Sequence, residues 1–255
     1  MDGGLSLIEE LQRICGDEHV VTERHALRTY ESDGLLQYAA VPRVAVLPGT
    51  GEEVAAVVRA CHRAGVPWVA RGSGSGLSGG ALPLEDGVLV VLSRLRRILE
   101  VDLENQRVVC EPGVTNVAIT AAVGPSHFYP PDPSSQIVCS IGGNVAENSG
   151  GPHTLKYEVT ANHILAVEVV LPDGSVIELG GPAPEAPIVR LSIISMAPGT
   201  TPAETMFDTA CPAWPGDSKK DTSVRTDSGV GTTRTMILVA TPSVPSEPTK
   251  TPHRS

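Results

Sequence analysis

The residues most able to do chemistry lie in a ten-residue stretch, Arg71 to Gly80 (RGSGSGLSGG), which contains five glycines and three serines. Glycine lets the backbone approach a ligand closely, and successive N–H groups that turn inward form a concave anion site. Arg71, at the end of an apolar run, adds positive charge. The composition of this stretch therefore predicts a site for phosphate or pyrophosphate.

The same stretch contains a G-x-G-x-x-G pattern, from Gly74 to Gly79. In dinucleotide-binding folds this pattern joins a strand to a helix whose N-terminus faces the pyrophosphate. Here residues 79–87 (GGALPLEDG) are turn-forming and lead into another apolar run, so we expect the loop to join strand to strand. A flexible linker is the alternative for any Gly/Ser run, but it is disfavoured inside a domain between two strands.

Two more stretches carry neutral polar groups suited to a ligand. Residues 140–151 (SIGGNVAENSGG) combine glycines with asparagines, and residues 129–136 (YPPDPSSQ) combine three prolines with Ser and Gln. We interpret both as parts of one long loop over residues 125–151, with the prolines making a rigid turn. Two glycine-rich segments and one proline segment predict a long, two-part ligand lying across a sheet.

Alternating helix and strand signals surround these stretches. Periodic apolar residues predict helices in residues 5–16, 51–65 and 114–124. Strands are predicted at the start of the 41–50 segment, in residues 66–71 and 86–95, in a hairpin over 98–113, and in a second hairpin with its turn at 172–174. The interpretation is a helical N-terminal segment (1–40), then an α/β arrangement over residues 41–181.

Composition limits the partners. The chain has 255 residues, a net charge of −10 and only 3% aromatic residues, so its core must rest on Val, Leu, Ile and Ala. The negative charge argues against nucleic acid and against an anionic membrane surface. We find no transmembrane span and no signal peptide, and the five cysteines fit reduced, mostly buried thiols in a cytoplasmic protein.

Residues 182–255 have a different character. They hold 11 of the 22 prolines and 12 threonines, with one brief apolar run, TMILVA, at 235–240. Such a composition buries too little apolar surface to offset chain entropy. We expect a mostly disordered tail.

Taken together, RGSGSGLSGG, EPGV, PPDPSSQ, SIGGNVAENSGG, LKY and VEVVLPDG resemble the FAD-binding domain of the vanillyl-alcohol oxidase/p-cresol methylhydroxylase (PCMH-type) superfamily. The similarity is greatest to its D-2-hydroxyacid branch, which includes the D-type subunit of glycolate oxidase and the FAD-linked D-lactate dehydrogenases. It spans residues 30–181. The resemblance implies an α+β fold of two α/β subdomains.

The resemblance also implies which residues bind FAD. The first glycine stretch would cradle the pyrophosphate, and the proline segment would lie along the flavin side. The second glycine stretch would wrap the ribityl chain and isoalloxazine ring, and Val167 would lie near the adenine. The implied cofactor-binding residues are Arg71, Gly72, Ser73, Gly74, Ser75, Gly76, Leu77, Ser78, Pro112, Gly113, Val114, Pro131, Asp132, Ser135, Ser140, Gly142, Gly143, Asn144, Asn148, Gly150, Gly151 and Val167.

Three departures from the family pattern stand out. Glu158 occupies a position where the family usually has glycine, and Pro152 follows the double glycine. After Gly181 we find neither the family's glycine–acid motif nor its substrate-binding cap domain. Residues 182–255 look unrelated to the family, as in a truncated or frame-shifted gene product, so the FAD domain is expected to lack its C-terminal part.

The implied function is oxidation of a small 2-hydroxy acid, of glycolate or D-lactate type, to the 2-oxo acid by hydride transfer to flavin. The electrons would then pass from the flavin to a separate acceptor or to partner subunits. Catalytic residues and metal ligands are not assigned: His127, His153 and His163 lie near the predicted site, but their spacing forms no metal motif. The alternatives are an FAD-binding fragment or subunit without activity of its own, and a sugar-nucleotide reductase such as UDP-N-acetylenolpyruvoylglucosamine reductase, which the proline and asparagine motifs disfavour.

Overall fold

The computed structural model describes residues 6–181 and the backbone of residues 231–238. The helices are α1 (Leu7–Cys15), α2 (Arg24–Leu27), α3 (Gly51–Ala64), α4 (Asn116–Val123), α5 (Ile141–Glu147) and α6 (Thr154–Tyr157). The strands are β1 (Val20–Val21), β2 (Val44–Val46), β3 (Trp68–Arg71), β4 (Val88–Val91), β5 (Ile98–Asp102), β6 (Arg107–Cys110), β7 (Ile164–Val170), β8 (Val176–Gly180) and β9 (Gly231–Leu238).

The first sheet has the strand order β1-β2-β4-β3. Strands β2, β4 and β3 are parallel, and β1 is antiparallel to β2. Because β2 and β4 are fully buried, both appear in the sequence as continuous Val, Leu and Ala runs. Helix α3, which begins after the Thr50 cap and ends at the left-handed Gly65, supplies the crossover between β2 and β3.

The second sheet is antiparallel, with the order β5-β6-β9-β7-β8. The two hairpins expected from the sequence are present, β5–β6 and β7–β8. They do not pair with each other, because β9 lies between β6 and β7. The centre of this sheet therefore comes from the far end of the chain.

Each sheet has its own core of aliphatic side chains. The first core packs Leu11 of α1 and Val57 of α3 against Val46 and Val90. The second core includes Ile119, Ile141, Val108 and Val169 with the buried ring of Tyr129. These cores confirm the expectation of a Val-, Leu-, Ile- and Ala-based interior.

The N-terminal segment is more than helical. Helix α1 begins with a capping box in which the side chains of Ser6 and Glu9 each bond the other's backbone N–H. Arg63 of α3 donates to Glu10 of α1 at 2.6 Å. The pair Val20–Val21, which carries no strand signal that sequence reasoning recognised, forms β1 and extends the first sheet. Residues 6–21 are thus packed onto the sheet that carries the glycine stretch.

The disorder expected for residues 182–255 lies outside the described residues, apart from 231–238. Those eight residues form β9, which overlaps the apolar run TMILVA and is the exception to the expected lack of regular structure. In the part of the chain that the structure describes, no helix is both long and apolar enough to cross a bilayer.

Candidate functional site

The first glycine stretch is an open loop between parallel strands. It begins after Arg71 at the end of β3 and runs to β4 without forming a helix, as the sequence predicted. Within the described residues, no backbone N–H from Ser73 to Ala81 donates a hydrogen bond to the protein. Backbone donors are normally paired when a segment is partly buried, so this run of free N–H groups forms a ready anion cradle.

Glycine is required in this loop at Gly74. Its φ is +66°, and a Cβ there would lie 2.5 Å from the Cζ of Arg71. A side chain would therefore strain the backbone and displace the guanidinium at once. The loop can hold its turn only because residue 74 has no side chain.

Arg71 is held by the protein itself. Its Nη1 donates to the carbonyl oxygens of Tyr30 and Ala81, at 3.4 and 3.3 Å, and its guanidinium lies 5.9 Å from the Tyr30 ring centroid. Burial lowers the pKa of Arg71, and nearby Asp33 opposes that shift. Arg71 thus connects the two ends of the loop to the N-terminal segment while bringing its charge to the loop.

The N-terminal segment forms one wall of the loop. A Cβ on Gly34 would lie 2.6 Å from the carbonyl oxygen of Gly76 and 2.8 Å from that of Ser75. The neighbouring Asp33 is buried, and its Oδ1 accepts from the Leu35 N–H at 2.8 Å. None of these N-terminal residues was predicted to belong to the site, because they lie outside the glycine-rich motifs.

The second glycine stretch is not wholly a loop. Residues 141–147 form helix α5, which Ser140 caps by accepting from the Gly143 N–H at 3.4 Å. The expectation of a continuous loop over 125–151 is wrong here, because burial of Ile141 in the second core outweighs the low helix propensity of the glycines. A Cβ on Gly72 would overlap Ser140 Oγ, so the two glycine stretches meet at this point.

The start of α5 is already bonded within the protein. The Ile141 N–H donates to Val114 O and the Gly142 N–H to Pro112 O, both at 2.8 Å. Gly113 in turn donates to Leu95 O at 2.6 Å. The EPGV motif therefore supports α5 by accepting hydrogen bonds from the first N–H groups of the helix. In the first glycine loop, by contrast, the N–H groups are free of bonds to the described chain.

A buried amide network fixes the proline segment. Asn144 of α5 donates from Nδ2 to Asn116 Oδ1 at 2.5 Å, and Asn116 donates from its own Nδ2 to Pro131 O at 2.8 Å. Cys139 also donates to Asn116 Oδ1, at 3.4 Å. Asn144, a predicted cofactor contact, thus uses its side-chain N–H inside the protein to position Pro131.

Asp132 forms a carboxylate–imidazole pair with His153. Asp132 Oδ2 lies 2.5 Å from His153 Nδ1, and Asp132 Oδ1 accepts the His153 backbone N–H at 3.3 Å. The His153 side chain is 65% exposed, whereas that of Asp132 is 18% exposed. Gly151 packs so closely on Asp132 that a Cβ would overlap the carbonyl oxygen of Asp132. The pair connects the proline segment to the end of the second glycine stretch.

Glu147, at the end of α5, reaches the first loop. Its Oε2 accepts a hydrogen bond from Ser78 Oγ at 2.6 Å. Its Oε1 lies 3.0 Å from the Cβ position of Gly80. Glu147 was not among the predicted site residues, because the glycines and asparagines of SIGGNVAENSGG favoured its neutral positions.

The remaining predicted residues are distributed around this centre. Asn148 ends α5 in a left-handed conformation and accepts from the Ala161 N–H at 2.9 Å. Val167 is buried in β7 as part of the second core. Ser135 accepts from the Val138 and Cys139 N–H groups at 2.8 Å.

His163 is buried and its Nε2 donates to Tyr157 O at 2.6 Å, while His127 bonds Ser126 on the surface.

Unusually exposed apolar side chains border the loops. Leu155 is fully exposed, Leu77 and Ile137 are each 73% exposed, and Val138 is 56% exposed. They lie in the first glycine loop, in the turn after the proline segment and in α6. Exposed apolar side chains on loops of this kind are available for contact with a ligand or a partner.

Two sheets with an open glycine loop at the end of parallel strands define a flavoprotein fold of the PCMH type. Alkyldihydroxyacetonephosphate synthase superposes with a TM-score of 0.70 at 18% identity, covering 94% of this chain and 42% of that one. Substrate-bound p-cresol methylhydroxylase superposes with a TM-score of 0.62 at 21% identity, covering 92% and 43%. These similarities establish the fold.

The chain belongs to the family described as FAD binding domain, whose model matches residues 42–180. Glycolate oxidase subunit GlcD from Escherichia coli K12 is 52% identical over 159 residues, or 62% of this chain and 32% of that protein. D-lactate dehydrogenase from Archaeoglobus fulgidus is 36% identical over 179 residues, or 69% and 39%. The chain thus spans about a third of the length of these relatives.

FAD is the cofactor of this family, and the residues present fit it. The free N–H groups of Ser73–Ala81 can donate hydrogen bonds to an anionic pyrophosphate. The glycines of the loop add no side chains that would cover these donors. The EPGV, PPDPSSQ and SIGGNVAENSGG motifs are joined to one another by the hydrogen bonds described above.

Proposed function

We propose that this chain is the FAD-binding unit of an oxidoreductase that converts a small 2-hydroxy acid, of glycolate or D-lactate type, to the 2-oxo acid. The proposal is supported by the names of its relatives, glycolate oxidase subunit GlcD and D-lactate dehydrogenase. When bound, FAD supplies the hydride acceptor for such an oxidation.

The single observation that carries the proposal is the run of free backbone N–H groups in the first glycine loop. We assign the FAD pyrophosphate to the loop from Gly72 to Ser78, which contains the first part of this run. Arg71 acts there chiefly as a positioning residue, because its guanidinium is already bonded to Tyr30 and Ala81. Backbone amides suit this role because they offer directed donors without a mobile side chain.

We assign the flavin half of FAD to the face formed by the proline segment and α5. Asp132, Ser135, Asn148 and Gly150–Gly151 line this face, and the exposed side chains of Ile137 and Leu155 supply apolar surface for a planar ring. Pro112–Val114, Ser140 and Gly142–Asn144 support the face from behind through their bonds to each other. Val167 in β7 is assigned to the adenine side.

The substrate and the electron acceptor complete the proposal. The substrate is a small 2-hydroxy acid, and electrons leave FAD to a separate acceptor or partner protein, as the word "subunit" in the name of GlcD suggests. We place the protein in the cytoplasm, since Cys15, Cys61, Cys110 and Cys139 are all free and buried, as is usual in a reducing compartment.

A second candidate is an FAD-binding module without turnover of its own. The chain spans 32–39% of the length of these relatives, so this candidate stays open beside the first. Both candidates require FAD binding, and they differ in whether the isolated chain oxidises a substrate.

Flavin content tests the common part first. The 255-residue protein is purified, desalted, and examined for visible absorbance and for flavin released on denaturation. Near-stoichiometric FAD is expected, with reduced retention in Gly74→Ala and normal retention in the surface control Ser126→Ala. Absence of FAD in the purified protein and after titration would overturn both candidates.

Substrate oxidation then separates the two candidates. FAD-loaded protein is mixed with glycolate, D-lactate or L-lactate and an artificial electron acceptor, and acceptor reduction is followed. Turnover of a D-2-hydroxy acid or glycolate supports the oxidoreductase. Bound FAD without turnover supports the module.

A further inference from the structure

The carboxylate of Glu147 lies against the first glycine loop, whose free N–H groups are proposed to bind an anion. Glu147 ends α5, and its carboxylate accepts from Ser78 Oγ at 2.6 Å while lying 3.0 Å from the Cβ position of Gly80 and 3.7 Å from that of Gly76. The carboxylate therefore borders the same glycines whose N–H groups are free.

This charge has no cationic partner among the described residues. No salt bridge there involves Glu147, and the nearby guanidinium of Arg71 is bonded to the carbonyl oxygens of Tyr30 and Ala81. Glu147 also lies at the C-terminal end of its helix, where the helix dipole is negative. Its only polar contact in the described chain is a neutral hydroxyl, which orients the carboxylate without neutralising it.

We propose that Glu147 is an electrostatic gate on the first glycine loop, one that weakens binding of phosphate-bearing flavins while its bond to Ser78 holds the loop against α5. The inference rests on the proposed placement of the FAD pyrophosphate on this loop. Pyrophosphate carries negative charge, so the carboxylate repels it across a surface where water screens only part of the interaction.

The two effects of Glu147, its hydrogen bond with Ser78 and its negative charge, can be separated by substitution. The hydrogen bond from Ser78 needs only an acceptor oxygen at residue 147, which glutamine also offers. The repulsion needs the charge, which glutamine lacks. Glu147→Gln therefore removes the repulsion and keeps the contact, whereas Glu147→Ala removes both.

The test measures the dissociation constant of FAD by fluorescence quenching with the full chain, freed of flavin beforehand. Glu147→Gln is expected to bind FAD about threefold to tenfold more tightly than the wild type at low salt. The difference is expected to shrink when salt is raised, because the Debye length falls from about 10 Å at 0.1 M to about 3 Å at 1 M. Glu147→Ala is expected to gain less than Glu147→Gln, since its loop loses a tether.

Glu104→Gln provides the matched control. It makes the same change of net charge in the turn of the β5–β6 hairpin, at the opposite end of these strands from Pro112. Its FAD affinity is expected to equal that of the wild type. Thermal unfolding of each variant establishes that all are folded.

Three outcomes decide the matter. Tighter, salt-sensitive binding in Glu147→Gln alone supports the gate. Unchanged or weaker binding in Glu147→Gln, with normal binding in the wild type, overturns the gate and leaves the proposed function standing. Failure of the wild type to bind FAD overturns both the proposed function and the gate.

Discussion

The Asp132 carboxylate holds both the ring and the backbone of His153, with Oδ2 lying 2.5 Å from Nδ1 and Oδ1 accepting the backbone N–H at 3.3 Å. The two residues come from different segments, the proline segment and the residues just after the second glycine stretch. This pair is consequently a direct connection between two parts of the proposed flavin face.

Replacement of Asp132 by alanine is expected to loosen residues 150–153. The change removes the acceptor of the His153 N–H and the carboxylate that bonds the His153 ring, while the carbonyl oxygen against which Gly151 packs remains. We expect faster amide hydrogen exchange at His153 and a loss of about 1 kcal/mol in the free energy of unfolding, since the pair is partly solvent-exposed. Unchanged exchange at His153 would show that the carboxylate does not hold this segment.

Gly34→Ala tests the N-terminal wall of the first loop. The added methyl group would meet the carbonyl oxygens of Gly76 and Ser75 at 2.6 and 2.8 Å, so the loop backbone must shift. We expect FAD binding to weaken about tenfold, which corresponds to about 1.4 kcal/mol. Leu36→Ala, at an exposed position two residues away, is the control and is expected to bind FAD normally.

Glu158→Gly should stabilise the protein. Glu158 has a φ of +67°, a region that costs a non-glycine residue about 1 kcal/mol or more. The gain is reduced by loss of its hydrogen bond with Asn162. We expect a net rise in melting temperature by calorimetry. Glu85→Gly, in an exposed turn without positive φ, is the comparison, and an equal rise there would contradict the strain argument.

Buried thiols make the fold sensitive to alkali. Burial raises the pKa of Cys15, Cys61 and Cys110 from 9.0 to about 12. Unfolded thiols ionise from about pH 9 upward, whereas the native thiols stay protonated until about pH 12, so unfolding releases protons in this window. The free energy of unfolding is therefore expected to be insensitive to these thiols below about pH 9 and to fall between about pH 9 and 12.

Thiol reactivity at about pH 8 offers a second measure of the same burial. These three cysteines are expected to resist alkylation in the folded protein and to react in denaturant, because the thiolate is the reactive form. Rapid labelling of Cys61, a residue with no exposed surface, would contradict the described packing.

Met236→Pro tests the position of β9. Residue 236 lies opposite Val109 of β6 and Ala166 of β7, so its strand is bonded on both sides. Proline removes an N–H and is poorly tolerated in a central strand. We expect a loss of about 1–3 kcal/mol by chemical unfolding, because a ladder hydrogen bond is lost and its acceptor is left unpaired, whereas Met236→Val should be nearly neutral. Equal stability of both variants would argue against a central β9.

The sequence contained enough to predict most elements near the site. Helix α3 and the two hairpins followed from apolar periodicity and turn residues, and the absence of a helix after Gly80 followed from local turn chemistry. Helix α5 was missed because glycines disfavour helices locally, and only the tertiary burial of Ile141 reveals it. The role of Gly34 was equally invisible, since a close approach between segments distant in sequence leaves no local signal.

The position of β9 also sets the order in which the two sheets can form during synthesis. Residues 107–110 must wait for residues 235–238 before their sheet gains its centre, whereas all strands of the first sheet lie before residue 92. Pairings between such distant segments are slow to form, because the intervening chain must first be brought together. During synthesis the first half can mature early on the ribosome, while the β5–β6 and β7–β8 hairpins keep unpaired strand edges and depend on protection until residues 231–238 emerge.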